Sequence, residues 1–346
     1  LRDGRIAAEY TPEDLLLLPK ADILGMGLRS PHEGKCPPAP SVLDESPAVL
    51  KTAGLSKRRC KEVIFDDVSL SFPKGRVTAI TGQNGAGKTT LLRILCGLTR
   101  PTRGRLLLFG AADAARQSEM RRRMGCLVDG PALYADLTAW QNLKVQCLQR
   151  GLNEADIAPT LQLVGLKDTG SKPAGKFSLG MRQRLGLAVA LLGKPEFLVL
   201  DEPLNGLDPE GIHSIRELLL QLHQEGKTVF LSSHLLDEVE KTCTHVGILQ
   251  HGCLLYQGDL SELLNSIEKR IHIRLDKVDL LHSVCKEVQI DSRIKSESIL
   301  EVILSNDTTY DRLIELLGQG GYHISAIQPL ENTLESVYLK LTSQTK

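Results

Sequence analysis

One glycine-rich run in this chain, Gly82-Gln83-Asn84-Gly85-Ala86-Gly87-Lys88-Thr89-Thr90, has the spacing G-x-x-x-x-G-K-[ST]. Phosphate oxygens approach the backbone closely in such a loop, so side chains hinder and glycine is favoured. Successive N–H groups make a concave anion site, reinforced by the positive end of the helix that follows. In this chemistry Lys88 reaches the β- and γ-phosphates of a nucleotide, and the Thr89 hydroxyl ligates Mg²⁺. A second acidic centre lies downstream, where the apolar run Phe197–Leu200 ends in Asp201 and Glu202. At the carboxyl end of a buried parallel strand a side chain faces the ligand crevice. Asp201 is expected to hold Mg²⁺, and Glu202 to orient or deprotonate the attacking water.

These groups need particular elements to position them. Val77–Ile80 is apolar and β-branched, as a strand entering the loop requires, and Leu91-Leu92-Arg93-Ile94-Leu95 is helix-forming. Phe197–Leu200 and Thr228–Leu231 read as further buried strands, so the core alternates strands with helices around a mainly parallel sheet. Ser178 precedes a helix predicted over Met181–Leu192, a small polar start that suits either a cap or an anion. Thr138-Ala139-Trp140-Gln141 is a capping box opening another helix.

The segment Ser178–Arg184, SLGMRQR, makes the chain resemble an ATP-binding-cassette (ABC) ATPase over roughly Val49 to Glu268. The resemblance implies an α/β fold: a P-loop ATPase core, with a mainly parallel sheet, an antiparallel β subdomain and a helical insertion. It also implies ATP and Mg²⁺ as cofactors. Ser178, Leu179, Gly180 and Met181 fall on the family signature, of which Ser178 and Gly180 touch the γ-phosphate held by a second ABC subunit; Leu179 and Met181 depart from its consensus. Asp208, in Leu204–Asp208, falls on the dimer-crossing loop, and His234 on the switch histidine that bonds the γ-phosphate. Asp129 stands where the family has a glutamine that senses metal and transport partner. An acidic residue there, with SLGMRQR, resembles the cassettes of bacitracin-resistance and lantibiotic-immunity exporters. The adenine-stacking aromatic is replaced by Arg58 or Arg59; Arg59 is taken as the base contact, a guanidinium plane less hydrophobic than tyrosine.

On this reading the chain is the ATPase subunit of an exporter of peptide-antibiotic or drug class cargo. Its partners are a membrane permease and a second cassette, and it sits in the cytoplasm against the inner face of the membrane. The competing readings are a soluble tandem ABC ATPase of the translation or repair type and a cassette that binds without hydrolysing. The balance of 42 basic and 42 acidic residues leaves no electrostatic footprint for nucleic acid. No apolar run approaches the ~20 residues of a membrane-spanning helix. The eight cysteines form no C-x-x-C pair and read as reduced thiols.

Three zones emerge: residues 1–47, 48–268 with the helical insertion at about 134–195, and 269–346. The first is proline-rich in its second half, while Leu1–Leu16 resembles the chain's own Leu249–Leu264, as if the tail of a preceding cassette came first. The last is a small C-terminal α/β domain of ferredoxin-like or related type. In it Arg270–Leu275 and Tyr322–Gln328 alternate like strands, and Asp311–Leu317 and Thr333–Leu341 read as helices.

Overall fold

The computed structural model describes residues 48–60, 62–304, 307–319, 321–330 and 332–343. The likeness of Leu1–Leu16 to Leu249–Leu264, and the linker expected before residue 48, lie outside the described residues.

A six-stranded sheet runs through the centre, in the order Cys253–Asp259, His245–Gln250, Val77–Thr81, Thr228–Ser233, Phe197–Asp201, Met124–Leu127. The first pair is antiparallel and the other four pairings are parallel. Both faces are buried, which explains the near-continuous apolar runs. Leu198, Leu200, Val229 and Leu231 enter one hydrophobic cluster, while Phe197, Val199 and Phe230 enter another. Period-two alternation thus divides each strand between two cores.

The second cluster is closed by an antiparallel sheet in which Ala48–Arg59 pairs with Glu62–Val68, Ser71–Pro73 and Arg103–Leu108. The phosphate-loop helix Lys88–Leu95 packs in the same cluster through Leu91, Leu92, Ile94 and Leu95. The first cluster is covered by the helices Ala139–Arg150, Ile157–Leu163 and Leu179–Leu191 of the insertion and by Pro209–Gln224. Both bonds of the predicted capping box are present: Thr138 Oγ1 accepts from the Gln141 amide at 3.2 Å, and Gln141 Oε1 from the Thr138 amide at 2.9 Å. The signature helix begins at Leu179, two residues before the expected Met181, because Ser178 is its cap.

The C-terminal part builds its own sheet, ordered Ser292–Ser296, Ile299–Leu304, Lys269–Leu275, Ile324–Leu330, all antiparallel. With the helices Val278–Glu287 and Asp307–Gln319 it follows the β-α-β-β-α-β order of a ferredoxin-like module. The last helix, Leu334–Ser343, belongs elsewhere. Leu334, Val337 and Tyr338 join the cassette's first cluster, and Glu240 accepts the Leu334 amide at 2.8 Å. Asn332 Nδ2 donates to the carbonyls of Leu264 and Ile267 at 3.1 and 3.0 Å. Among the described residues no helix is long and apolar enough to cross a membrane. Cys60, Cys96, Cys126, Cys147, Cys243 and Cys285 are free thiols, but Cys253 is disulfide-bonded, against the expectation of reduced thiols.

The terminal helix is therefore part of the cassette's stability. Leu334 has no exposed surface, and Leu334→Ala should cost about 2–5 kcal/mol of unfolding free energy. Urea denaturation monitored on the whole chain checks this. A midpoint unchanged from the parent would mean the helix is not packed as described.

Candidate functional site

The phosphate loop starts where the Val77–Thr81 strand ends. A Cβ at Gly82 would lie 2.0 Å from the Leu249 carbonyl oxygen, so no other residue fits there. Gly85 and Gly87 take φ of 82° and 104°, and Gly87 leads into the helix without any side-chain cap. The first amides of that helix therefore lack a side-chain acceptor and suit an anion. Lys88 is 6% exposed, and its Nζ donates to the carbonyls of Gly82 at 2.7 Å and Gln83 at 3.3 Å. Glu202 Oε1 stands 3.8 Å from the same nitrogen. Burial pushes the Lys88 ammonium below the ordinary lysine range, while Glu202 and Asp201 pull it back up. A cation buried in this way gains from an arriving polyphosphate.

Two adjacent carboxylates face this cation. The Thr89 hydroxyl donates to Asp201 Oδ1 at 3.2 Å, and the Ser232 hydroxyl donates to the same oxygen at 2.6 Å. Ser232 Oγ in turn accepts the Glu202 amide at 2.8 Å. Glu202 has φ 46°, a left-handed conformation that costs a non-glycine residue about 1–3 kcal/mol. The Ser232 bond holds it there. His234 Nδ1 lies 2.8 Å from Glu202 Oε2. Hard oxygen donors on Thr89 and Asp201, beside a site built for phosphate, are the donor set Mg²⁺ takes.

The structure thus gathers Lys88, Thr89, Asp201, Glu202 and His234 around the loop Gly82–Thr90. Sequence reading missed Ser232. Its one available signal was position: the doublet Ser232-Ser233 ends the neighbouring strand, and Ser232 stands level with Asp201 in the parallel register.

The other predicted residues stand apart from that cluster. Ser178 caps its own helix, accepting the Met181 amide at 3.3 Å, and among the described residues no hydrogen bond or ion pair joins Ser178–Met181 to it. Leu179 is 48% exposed and lies over Gly206, where a Cβ would meet its Cδ2 at 2.7 Å. Gln183 Nε2 donates to the Pro203 carbonyl at 3.1 Å, which ties the signature helix to the residue after Glu202. Asp208 caps the Pro209–Gln224 helix by accepting the Gly211 amide at 3.0 Å. Asp129, at φ 63°, is held by Arg93 through two bonds of 2.9 and 2.7 Å. Both side chains are nearly half exposed, so the pair contributes at most about 1 kcal/mol and is easily exchanged. Arg59 is exposed at the end of its strand. Trp140 is exposed, with Lys144 Nζ 5.0 Å from its ring centre.

Comparison with known proteins agrees with this geometry. The model of the family described as ABC transporter matches residues 65–205. The bacitracin transport ATP-binding protein BcrA of Bacillus licheniformis is 37% identical over 298 residues, covering 85% of this chain and 97% of that protein. The lantibiotic transport ATP-binding protein SrtF of Streptococcus pyogenes is 40% identical over 231 residues, covering 64% of this chain and all of that one. A solved structure titled as an ATP-binding subunit of an ABC transporter aligns with a TM-score of 0.58 at 30% identity, over 63% of this chain and 92% of that one. A dimeric ATP-binding cassette, MJ0796, bound to ADP and Pi shares the fold, at a TM-score of 0.56 and 23% identity over 61% and 98% of the two chains.

Two substitutions separate the chemistry from binding. Glu202→Gln should leave ATP affinity in an equilibrium titration intact while turnover falls by at least ~10²-fold, as expected for losing acid–base help. Near-normal turnover would reject Glu202 as the base. Ser232→Ala should lower turnover roughly tenfold, since an orphaned buried donor costs about 1–3 kcal/mol. Unaltered single-turnover rates would show that Glu202 needs no such support.

Proposed function

The chain belongs to the ABC transporter ATP-binding family, and from that premise we propose that it energises an exporter of peptide-antibiotic or drug class cargo through a separate membrane permease. Proteins of this family hydrolyse ATP to power transport, and this chain is such an ATPase. The observation that carries the exporter reading is the 298-residue match to a bacitracin transport ATP-binding protein, which covers 97% of that relative. An alignment of that length cannot fit within residues 48–268 alone, so the likeness extends beyond the cassette.

The residues divide the work as follows. Backbone N–H groups of Gly82–Thr90 and the Lys88 ammonium bind the phosphates, and Arg59 lies under the base. Thr89 and Asp201 would hold Mg²⁺, which supplies charge neutralisation at the β- and γ-phosphates when bound. Glu202 takes the proton of the attacking water, and His234 orients the Glu202 carboxylate through its 2.8 Å contact. Ser178 and Gly180 serve the site of a second cassette, with Leu179, Met181 and Asp208 lining the same interface. ATP gripped from both sides closes the pair, and loss of the γ-phosphate opens it. The surface near Asp129 and Trp140 seats the permease, which places the chain at the inner face of the membrane. There the exposed Arg93–Asp129 pair can open when nucleotide or partner arrives.

Affinity purification of the full tagged chain from detergent-solubilised membranes of its native host tests the proposal. An integral-membrane permease should copurify, and its presence should stimulate ATP turnover. Recovery of the chain with ribosomes or repair proteins, and with no permease, would overturn the exporter reading in favour of a cassette working without a channel.

A further inference from the structure

Away from the nucleotide, two thiols meet beside a basic cavity. Cys96, the residue capping the C-terminal end of the Lys88–Leu95 helix, places its Sγ 3.3 Å from Sγ of Cys126, on the edge strand Met124–Leu127. Cys126 also lines a cavity of about 390 Å³, together with Ser118, Arg121, Arg122, Gln146 and Arg150. Arg121 lies against Gly97, where an added Cβ would come within 2.4 Å of its Nε, and that Nε is buried without a hydrogen-bond partner. The lining of this cavity thus gathers Arg121, Arg122 and Arg150 with the exposed residue Cys126, a setting that favours an anionic thiol reagent.

We propose that Cys126 is a modification site for anionic low-molecular-weight disulfides of the glutathione class, with Cys96 as its resolving thiol. The thiolate of Cys126 attacks one sulfur of the reagent disulfide; a Cys126–S–S–R bond forms and RS⁻ leaves. Cys96 then loses its proton to solvent and attacks the Cys126 sulfur. An internal Cys96–Cys126 disulfide forms and a second RS⁻ departs. The two cysteines are oxidised by two electrons, and the reagent disulfide is reduced to two thiols. The order of attack follows from access: Cys126 is exposed and lines the cavity, whereas Cys96 is half-buried and outside that lining. The hydrogen bond from Cys96 lowers the Cys126 thiol below its ordinary range, and Arg150 and Arg121 lower it further. The same contact, with burial, pushes Cys96 up. A disulfide needs the sulfurs at about 2.05 Å, so closure asks for a shift of little more than 1 Å.

The bond would join the end of the phosphate-loop helix to a strand that stops two residues before Asp129. Asp129 is already tied to Arg93 of that helix. Closing the second tie fixes the segment that the exporter reading needs to move, and this consequence rests on that reading.

The test treats the reduced full chain with glutathione disulfide and follows intact mass and non-reducing peptide maps, readouts independent of ATPase activity. The parent should yield a linked Cys96–Cys126 peptide, two hydrogen atoms lighter than the two free peptides together, whatever becomes of Cys253. Cys96→Ser should instead accumulate one glutathione on Cys126, and Cys126→Ser should yield neither product. The cationic reagent cystamine should react with Cys126 on the order of tenfold more slowly, the scale of electrostatic steering in a charged cleft. Preferential reaction at Cys60, with Cys96 and Cys126 left as free thiols, would overturn the proposal, as would equal rates for the two reagents. In chain shown to carry the internal bond, ATP turnover should fall and return on reduction. Unchanged turnover there would reject the coupling to Asp129, whatever the fate of the exporter reading.

Discussion

The end of the sheet that carries the phosphate loop depends on the parallel register of three neighbouring strands. Thr81 stands level with Ser233, and Ser232 level with Asp201. The phosphate loop, the acidic pair and His234 therefore all emerge at the same edge of the sheet. A slip of one residue would turn every side chain of a strand to the opposite face. Two-sided burial forbids the slip, because Phe197 and Val199 fill one core while Leu198 and Leu200 fill the other. The same apolar residues that stabilise the sheet thus aim Asp201 at Thr89.

Charge is the second constraint. A buried ammonium and two adjacent carboxylates are costly unless each finds a partner. Lys88 takes two loop carbonyls and lies close to Glu202, Asp201 takes two hydroxyls, and Glu202 takes His234. Each of these partners is one that a phosphate, a cation or a water proton can replace. The charged side chains are thus partnered, and none of their contacts must be broken at great cost to admit a phosphate onto the uncapped helix amides. The left-handed backbone of Glu202 belongs to the same arrangement, since the strain is carried by a hydrogen bond to Ser232, a residue with no exposed surface.

Much of this was legible from residue types at fixed spacing. The loop, the acidic pair and the capping box are local patterns, and local patterns fix local geometry. Arg93 as the holder of Asp129, Ser232 as the link between Asp201 and Glu202, and the meeting of Cys96 with Cys126 were not legible. Each joins residues at least 30 positions apart across different elements, and a serine, arginine or cysteine has no pattern that announces such a partner. The helix start at Leu179 was misplaced by two residues because propensity was read from Met181 onward, whereas the cap at Ser178 sets the boundary. The C-terminal zone was read as a small unit of its own, and alternation could not reveal that its last helix packs in the cassette's core.

The departure at Leu179 and that last helix share a lesson about how distant segments reach the nucleotide end. A branched side chain where the family signature has glycine is admitted because Gly206, in the loop after Glu202, leaves room for its Cδ2. Gln183, one turn along, bonds the carbonyl of Pro203 in the same loop. The Leu179–Leu191 helix and the loop after Glu202 are therefore one packed unit, and moving one displaces the other. The terminal helix makes a comparable approach from the far end of the chain. The Tyr338 hydroxyl is buried without completing a hydrogen bond; burial pushes its pKa up, and the nearby backbone of Gln83 in the phosphate loop counters part of that shift. A buried hydroxyl next to a loop amide is a polar group whose satisfaction turns on where the loop lies. The ferredoxin-like module is thus followed by a helix that packs in the cassette's first cluster and brings the buried Tyr338 hydroxyl close to Gln83 of the phosphate loop.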